Sequence, residues 1–113
     1  MNLIGSEDVP VLTETMGSFF DGKVKELQDK EAVVVMHQNK RWTWKQFQKE
    51  VDALAVGFVR LGLKPGDRVA VWLPNTAEYL AAQFATAKVG LIMVTINPAY
   101  RIPELKYLIF WLC

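Results

Sequence analysis

Apolar residues recur along this chain at helical spacing in some stretches and in short unbroken runs in others. Met16, Phe19, Phe20, Val24 and Leu27 fall at spacings of three and four, which predicts a helix capped by Thr13 or Thr15 and running to about Lys30. Gly17 and Gly22 weaken it, since glycine lacks the restricted backbone that favours a helix. Residues 32–36 form a β-branched run, and residues 41–44 alternate in the manner of a second strand. Gln38, Asn39 and Lys40 lie between them, and Asn39 tolerates the left-handed conformation of a tight turn. The two runs are read as a β-hairpin.

Thr43 with Gln46 three positions on forms a capping box, and it opens the most strongly marked helix. Phe47, Val51, Leu54, Ala55 and Phe58 make its apolar stripe. Gly62 sits just past its end, where a left-handed cap costs little. Pro65-Gly66 then fills the central positions of a type II turn. Residues 68–73 give a short apolar strand broken by Pro74. Asn75 is expected to cap a helix over residues 76–88, with Glu78 reaching back from the third helical position. Ala77, Leu80, Ala81, Phe84 and Ala87 mark its expected buried face, Lys88 suits its negative end, and Gly90 ends it. Residues 91–96 are a second unbroken apolar strand, stopped by Asn97-Pro98. Strand, helix and strand have the size of a βαβ unit. Unbroken rather than alternating apolar strands predict parallel pairing with both faces covered. A last helix is expected from about Pro103 through Leu105 and Leu108, running into the apolar end Leu108-Ile109-Phe110-Trp111-Leu112-Cys113. The fold class is therefore α/β: a β-hairpin, a parallel βαβ unit and flanking helices.

Composition narrows the partners. Of the 113 residues, 51% are hydrophobic and 22% charged, the profile of a folded segment rather than a disordered one. Thirteen Lys and Arg balance twelve Asp and Glu, so bulk charge recruits neither nucleic acid nor an anionic membrane. Cys113 is the one cysteine, which excludes an intrachain disulfide framework or a multi-cysteine metal site. No apolar run reaches the length of a transmembrane segment. Residues 1–10 carry Glu7 and Asp8 and no basic residue, which argues against a secretory signal or a mitochondrial presequence and leaves the cytoplasm as the default.

Each chemistry-bearing residue has a structural reading. His37, the only histidine, lies beside a turn with no partners nearby for a triad or a metal site. Cys113 has no neighbour to activate its thiol and does not form a prenylation box. Lys40, Arg41, Trp42, Trp44 and Lys45 interleave basic and aromatic residues as single-strand nucleic-acid surfaces do, yet they also suit a hairpin with packed tryptophans and solvated charges, which is the reading adopted. The run Gly62-Leu63-Lys64-Pro65-Gly66-Asp67 precedes a strand, whereas a phosphate cradle follows one and opens a helix. The strand-to-helix turn Leu73-Pro74-Asn75-Thr76 lacks the glycines that admit a pyrophosphate. No catalytic, cofactor-binding or metal-binding residue is assigned.

Several motifs in a fixed order carry a resemblance. They are Trp42-Thr43-Trp44, then Leu61-Gly62-Leu63-Lys64-Pro65-Gly66-Asp67-Arg68-Val69-Ala70, Leu73-Pro74-Asn75, Ala87-Lys88-Val89-Gly90, Ile96-Asn97-Pro98-Ala99-Tyr100 and Glu104-Leu105-Lys106-Tyr107. Together they resemble the N-terminal part of the AMP-forming acyl-CoA synthetases. Asn97-Pro98-Ala99-Tyr100 is most similar to the medium-chain fatty-acyl-CoA branch. The resemblance implies ATP, Mg and coenzyme A as the complete family's reactants, a fatty acid as substrate, and a two-step reaction. The carboxylate attacks the α-phosphate of ATP to give an acyl-adenylate and pyrophosphate, and the thiol of coenzyme A then displaces AMP. It also implies that the Ser/Thr/Gly-rich phosphate loop, the Tyr-Gly-x-Thr-Glu segment, the ribose-binding Asp and the C-terminal Lys lie downstream of the motifs present here. It makes a mitochondrial location a second expectation beside the cytoplasmic default.

The organisation expected is a flexible lead over residues 1–12, a ligase-like part over 13–109 and a divergent apolar end over 110–113. The change after Tyr107 resembles a premature stop. Two functions follow as expectations. One is a truncated ligase homologue, inactive alone and marginally stable because its two core strands lack neighbours. The other is a small binding protein that pairs with a full-length synthetase through its apolar surface and open strand edges.

Overall fold

The chain is described by a computed structural model that covers residues 10–112, with Leu112 described by its backbone alone. The first nine positions of the expected lead, and Cys113, lie outside the described residues. Helix α1, Met16–Leu27, starts because Thr15 is extended and its hydroxyl accepts from the Ser18 N–H at 3.2 Å. It ends before Lys30, where Gln28 turns to a φ of 36° and its N–H donates to the Val24 carbonyl. Phe20 and Val24 are buried, whereas Met16 and Phe19 of the same expected stripe are exposed.

Strand β1, Glu31–Val35, pairs antiparallel with β2, Lys40–Thr43. The hairpin is as predicted, but its connection is wider. One 3-10 turn, Met36–Gln38, precedes Asn39, which is left-handed at φ 49° and ψ 39°. Trp44, expected in the second strand, instead opens helix α2, Trp44–Arg60. The capping box forms: Thr43 Oγ1 accepts from Gln46 N, and Gln46 Oε1 accepts from Thr43 N at 2.9 Å. At the far end Leu63 N donates to Phe58 O and Gly62 N to Val59 O, a Schellman closure with Gly62 at φ 85°. The following turn closes through Asp67 N donating to Lys64 O at 3.0 Å, with Gly66 at φ 93°.

The βαβ unit consists of β3, Arg68–Val71, helix α3, Ala77–Lys88, and β4, Ile92–Thr95. The strands run parallel, with Arg68 opposite Ile92 and Val71 opposite Thr95. Thr76, not Asn75, caps α3. Thr76 is extended and its hydroxyl accepts from Tyr79 N at 3.2 Å, the role for which Asn75 lies one residue too early. Glu78 does not reach back to the cap but turns to the hairpin. Helix α4, Ile102–Leu112, begins one residue before Pro103, with Glu104 accepting from Arg101 N at 3.1 Å. Among the described residues no helix is long and apolar enough to cross a membrane.

The core lies where α1, α2 and α3 meet the hairpin. Phe20, Val24, Val33, Phe47, Val51 and the alanines Ala55, Ala77, Ala81 and Ala85 form one buried cluster. Ala77, Ala81 and Ala85 make a stripe of small side chains on α3, which lets the rings of Phe20, Phe47 and Phe84 close to within 4.8 to 5.5 Å of one another. Ala82, Ala85 and Thr86 are more buried than Ala87, which was expected inside and is half-buried. The β3–β4 sheet departs further from expectation. Val71 is buried, but Ala70 on the opposite face is exposed and Ile92 is 48% exposed, so the described residues cover one face and not both.

Candidate functional site

Parallel strands leave a crevice beyond their carboxyl ends, and in open α/β sheets that is where ligands seat. Here the crevice encloses about 360 Å3. The start of α3 contributes Asn75 and Tyr79, the end of β4 and its exit contribute Thr95 and Asn97, and Tyr100 and Leu108 close it. Asn97 is heavily engaged. Its Oδ1 accepts from Ala99 N at 2.9 Å, and its carbonyl accepts from Tyr100 N at 3.0 Å and from the Trp72 indole Nε1 at 3.1 Å. Asn97 therefore stops the strand, folds the following turn and ties the ends of β3 and β4 together. Among the described residues the lining offers amide and hydroxyl groups and no Lys, Arg, His, Asp or Glu. Such a surface orients a polar ligand by hydrogen bonds.

A second cavity of about 370 Å3 lies beside β3, against α2 and α3. Trp42, Leu54, Phe58, Val69, Trp72 and Ala82 make it predominantly apolar.

Two polar clusters join distant parts of the chain. In the first, the hairpin turn holds the start of α3. Gln38 Oε1 accepts from the Ala77 N–H at 2.8 Å, while Gln38 Nε2 and Lys40 Nζ both donate to the Glu78 carboxylate. Those hydrogen bonds, with the Lys40 charge, hold the Glu78 carboxyl down at about 2 from an ordinary 4.5. In the second, Lys88 bridges Asp21 of α1 at 2.7 Å and Asp52 of α2 at 2.6 Å, with its ammonium over the Phe20 ring. Partial burial lowers the Lys88 pKa, but hydrogen bonds to the two carboxylates outweigh it and leave it raised. Burial likewise raises the Asp21 carboxyl, and hydrogen bonds from Lys88 and Gln48 more than reverse this.

The residues weighed in the sequence fall as follows. His37 is exposed in the 3-10 turn. Trp42 stacks on Phe47 at 6.1 Å and Trp44 sits 6.1 Å from Phe20, so both tryptophans are packed. Lys40, Arg41 and Lys45 each pair with a carboxylate, Glu78, Glu31 and Asp29 respectively. Among the described residues no group of three or more His, Cys, Asp or Glu is arranged to hold a metal ion. Sequence reasoning missed the roles of Gln38 and Lys88. Their partners lie 36 to 67 residues away, beyond any local pattern.

Known proteins match this chain in sequence and in fold. The family model described as "AMP-binding enzyme" matches residues 20–109. The medium-chain acyl-CoA ligase ACSF2, mitochondrial, of Mus musculus is 38% identical over 105 residues, covering 93% of this chain and 17% of that protein. The putative acyl-CoA synthetase YngI of Bacillus subtilis is 39% identical over 99 residues, covering 88% of this chain and 18% of that protein. The crystal structure of the N-terminal domain of FACL13 from Mycobacterium tuberculosis superposes with a TM-score of 0.81 at 26% identity, covering 86% of this chain and 25% of that one. The chain thus spans about a sixth of the length of the curated relatives it matches.

Proposed function

The chain belongs to the AMP-binding enzyme family, and from that premise we propose that it forms the leading scaffold of an acyl-CoA ligase and carries no complete catalytic centre of its own. The observation that supports this is the crevice at the ends of β3 and β4. It occupies the ligand position of an open α/β sheet, yet among the described residues its lining holds no charged group. Activation of a carboxylate by ATP needs cations around the phosphates and a metal held by oxygen ligands. We assign those groups, and with them ATP, Mg and coenzyme A, to the parts of the complete ligase that the relatives carry beyond the matched sixth.

The substrate of the complete protein is, on this reading, a medium-chain fatty acid. The basis is the name of the Mus musculus relative together with the Asn97-Pro98-Ala99-Tyr100 motif. That relative is named as mitochondrial, while the Bacillus subtilis protein matches at similar identity, so the matched fold serves either cellular setting.

The test has two arms. The purified chain, given Mg·ATP, labelled pyrophosphate and medium-chain fatty acids, shows no ATP–pyrophosphate exchange; clear turnover sinks the proposal. A chimera of ACSF2 ligase in which this chain replaces the matched segment retains exchange, and an inactive, unfolded chimera removes the ligase assignment.

A further inference from the structure

Apolar side chains scattered singly over a surface need no explanation, whereas a contiguous apolar face on a helix does. Helix α2 carries such a face beside its buried stripe. Val56 is 49% and Val59 58% exposed, and Ala53 is exposed next to them. A groove of about 680 Å3 runs along it, walled by Val56 and Val59 and by Lys88 and Val89 at the end of α3. Opposite charges from α2 also line the groove. Asp52 Oδ1 accepts from Lys88 Nζ at 2.6 Å, and the Asp52 side chain remains 49% exposed. Arg60 is exposed and, among the described residues, forms no ion pair.

The order of these residues is symmetric about Val56. Asp52 lies four positions before it and Arg60 four after, while Ala53 lies three before and Val59 three after. Residues three and four apart share one helix face. A second α2 laid antiparallel across the first, with the two Val56 side chains facing, brings Asp52 level with Arg60 of the second copy and Ala53 level with its Val59. Each match occurs twice, and the small Ala53 leaves room for the branched valine. Parallel pairing would instead set Asp52 against Asp52 and Arg60 against Arg60. We propose that this face of α2 is a dimer contact whose occupant is α2 of a second copy of this chain. A closed two-fold dimer needs a patch that is complementary to itself, and the charges and apolar positions here have that property. Seventeen residues of helix span about 25 Å, so the contact is small and the association weak and reversible. It uses neither the crevice nor the β3–β4 pair, and it stands apart from the ligase reading.

The test follows the full 113-residue chain by sedimentation velocity over a concentration series. The expected result is a reversible monomer–dimer equilibrium that weakens as salt rises, because salt screens the Asp52–Arg60 pairs. Val56→Asp, at a half-exposed position, leaves the thermal transition in place and abolishes the dimer. Arg60→Glu weakens the dimer at least about tenfold, since like charges then face each other. Phe110→Asp, at a 78% exposed position of α4, changes neither. Cross-linking reads the direction. In a Cys113→Ser background, oxidation joins Val56→Cys chains by a disulfide, whereas Lys49→Cys chains, held about 21 Å apart by antiparallel pairing, stay separate. A chain that remains monomeric throughout the series overturns the inference and leaves the groove to a different molecule. Self-association that survives Val56→Asp, strengthens with salt or disappears in Phe110→Asp overturns it by placing the contact on another apolar surface. Efficient cross-linking of Lys49→Cys overturns it by making the pairing parallel.

Discussion

The hairpin with α1 and α2 and the parallel unit with α4 differ in how much of a central apolar cluster they enclose. In the first region the central apolar cluster closes on residues of the same chain, while Met16, Phe19, Val34, Met36, Val56 and Val59 stay exposed around it. Phe20 is 1% exposed and meets Phe47, Phe84 and Trp44. Helix α3 belongs to both regions: its alanine stripe seals the first, and its remaining surface covers one face of β3–β4. In the second region Ile92, Trp72, Tyr107, Phe110 and Trp111 face outward. Composition does not separate the regions, since both are rich in aromatic and aliphatic residues. Long-range closure does. An apolar side chain stabilises this chain only where a second element of the same chain meets it.

The largest effect that tests this contrast is a pair of truncations. Phe20→Ala removes a fully enclosed ring and should cost about 3–5 kcal/mol. That is a large part of the stability of a small domain, so the cooperative urea transition should be lost or strongly shifted. Phe110→Ala, at 78% exposure, should change the midpoint by less than about 0.5 kcal/mol. Comparable losses at both positions would break the contrast.

Next in size is the contact that fastens the two regions together. Gln38→Ala removes the acceptor for the Ala77 N–H and should cost about 1 kcal/mol in urea unfolding. The same contact carries a pH dependence. Gln38 and Lys40 hold the Glu78 carboxyl at about 2, below its ordinary 4.5. A carboxylate with a lowered folded pKa adds stability that is complete above about 4.5 and is lost as pH falls towards about 2. Glu78 is half exposed, so solvent screening keeps this contribution modest. Glu78→Gln should flatten the acid limb of the stability curve in that window. An unchanged slope would mean that Glu78 does not report on the latch.

How much of this was legible follows from the range of each interaction. Thr15, the Thr43–Gln46 box, Asn39, Gly62 and the Pro65-Gly66 turn act within a few residues, and each appears where the sequence predicts it. The parallel pairing of β3 and β4 was also readable, because unbroken apolar strands either side of a helix leave few other topologies. The cap of α3 was not. Asn75 and Thr76 are both good caps, and the structure decides for Thr76 because the hairpin brings Gln38 onto the next N–H. Lys88 read as a partner for the helix dipole, whereas it bridges α1 and α2. The polar crevice was only partly readable: Asn75, Asn97 and Tyr100 fall in motifs the sequence marks, but no local pattern brings them beside Tyr79 and Thr95.

Gly17 and Gly22 sharpen the contrast within one helix at smaller scale. The sequence treats them alike. In the fold, a Cβ on Gly17 would meet Lys88 Cα at 3.2 Å and Cγ at 3.3 Å, while one on Gly22 meets nothing within 4 Å. Gly22→Ala should therefore stabilise the chain by about 0.5–1 kcal/mol. Gly17→Ala should gain less or destabilise, because α3 must shift. Equal gains at both sites, read from urea midpoints, would show that the α1–α3 crossing yields to a methyl group at no cost.

The smallest expected effect separates the regions most sharply. Ile92→Thr keeps the β-branched shape that suits a strand and replaces a methyl-rich side chain at a 48% exposed position. In the isolated chain its midpoint should move by less than about 0.5 kcal/mol. Val71→Thr, at a 7% exposed position of the same strand pair, should move it by about 1–2 kcal/mol. No residue of the hairpin core can be as silent as Ile92, because its cover is already present. A silent Ile92→Thr beside a costly Val71→Thr therefore reports that one face of the pair is open, whereas a loss of stability at Ile92 would mean that it is already packed and that the second region is closed like the first.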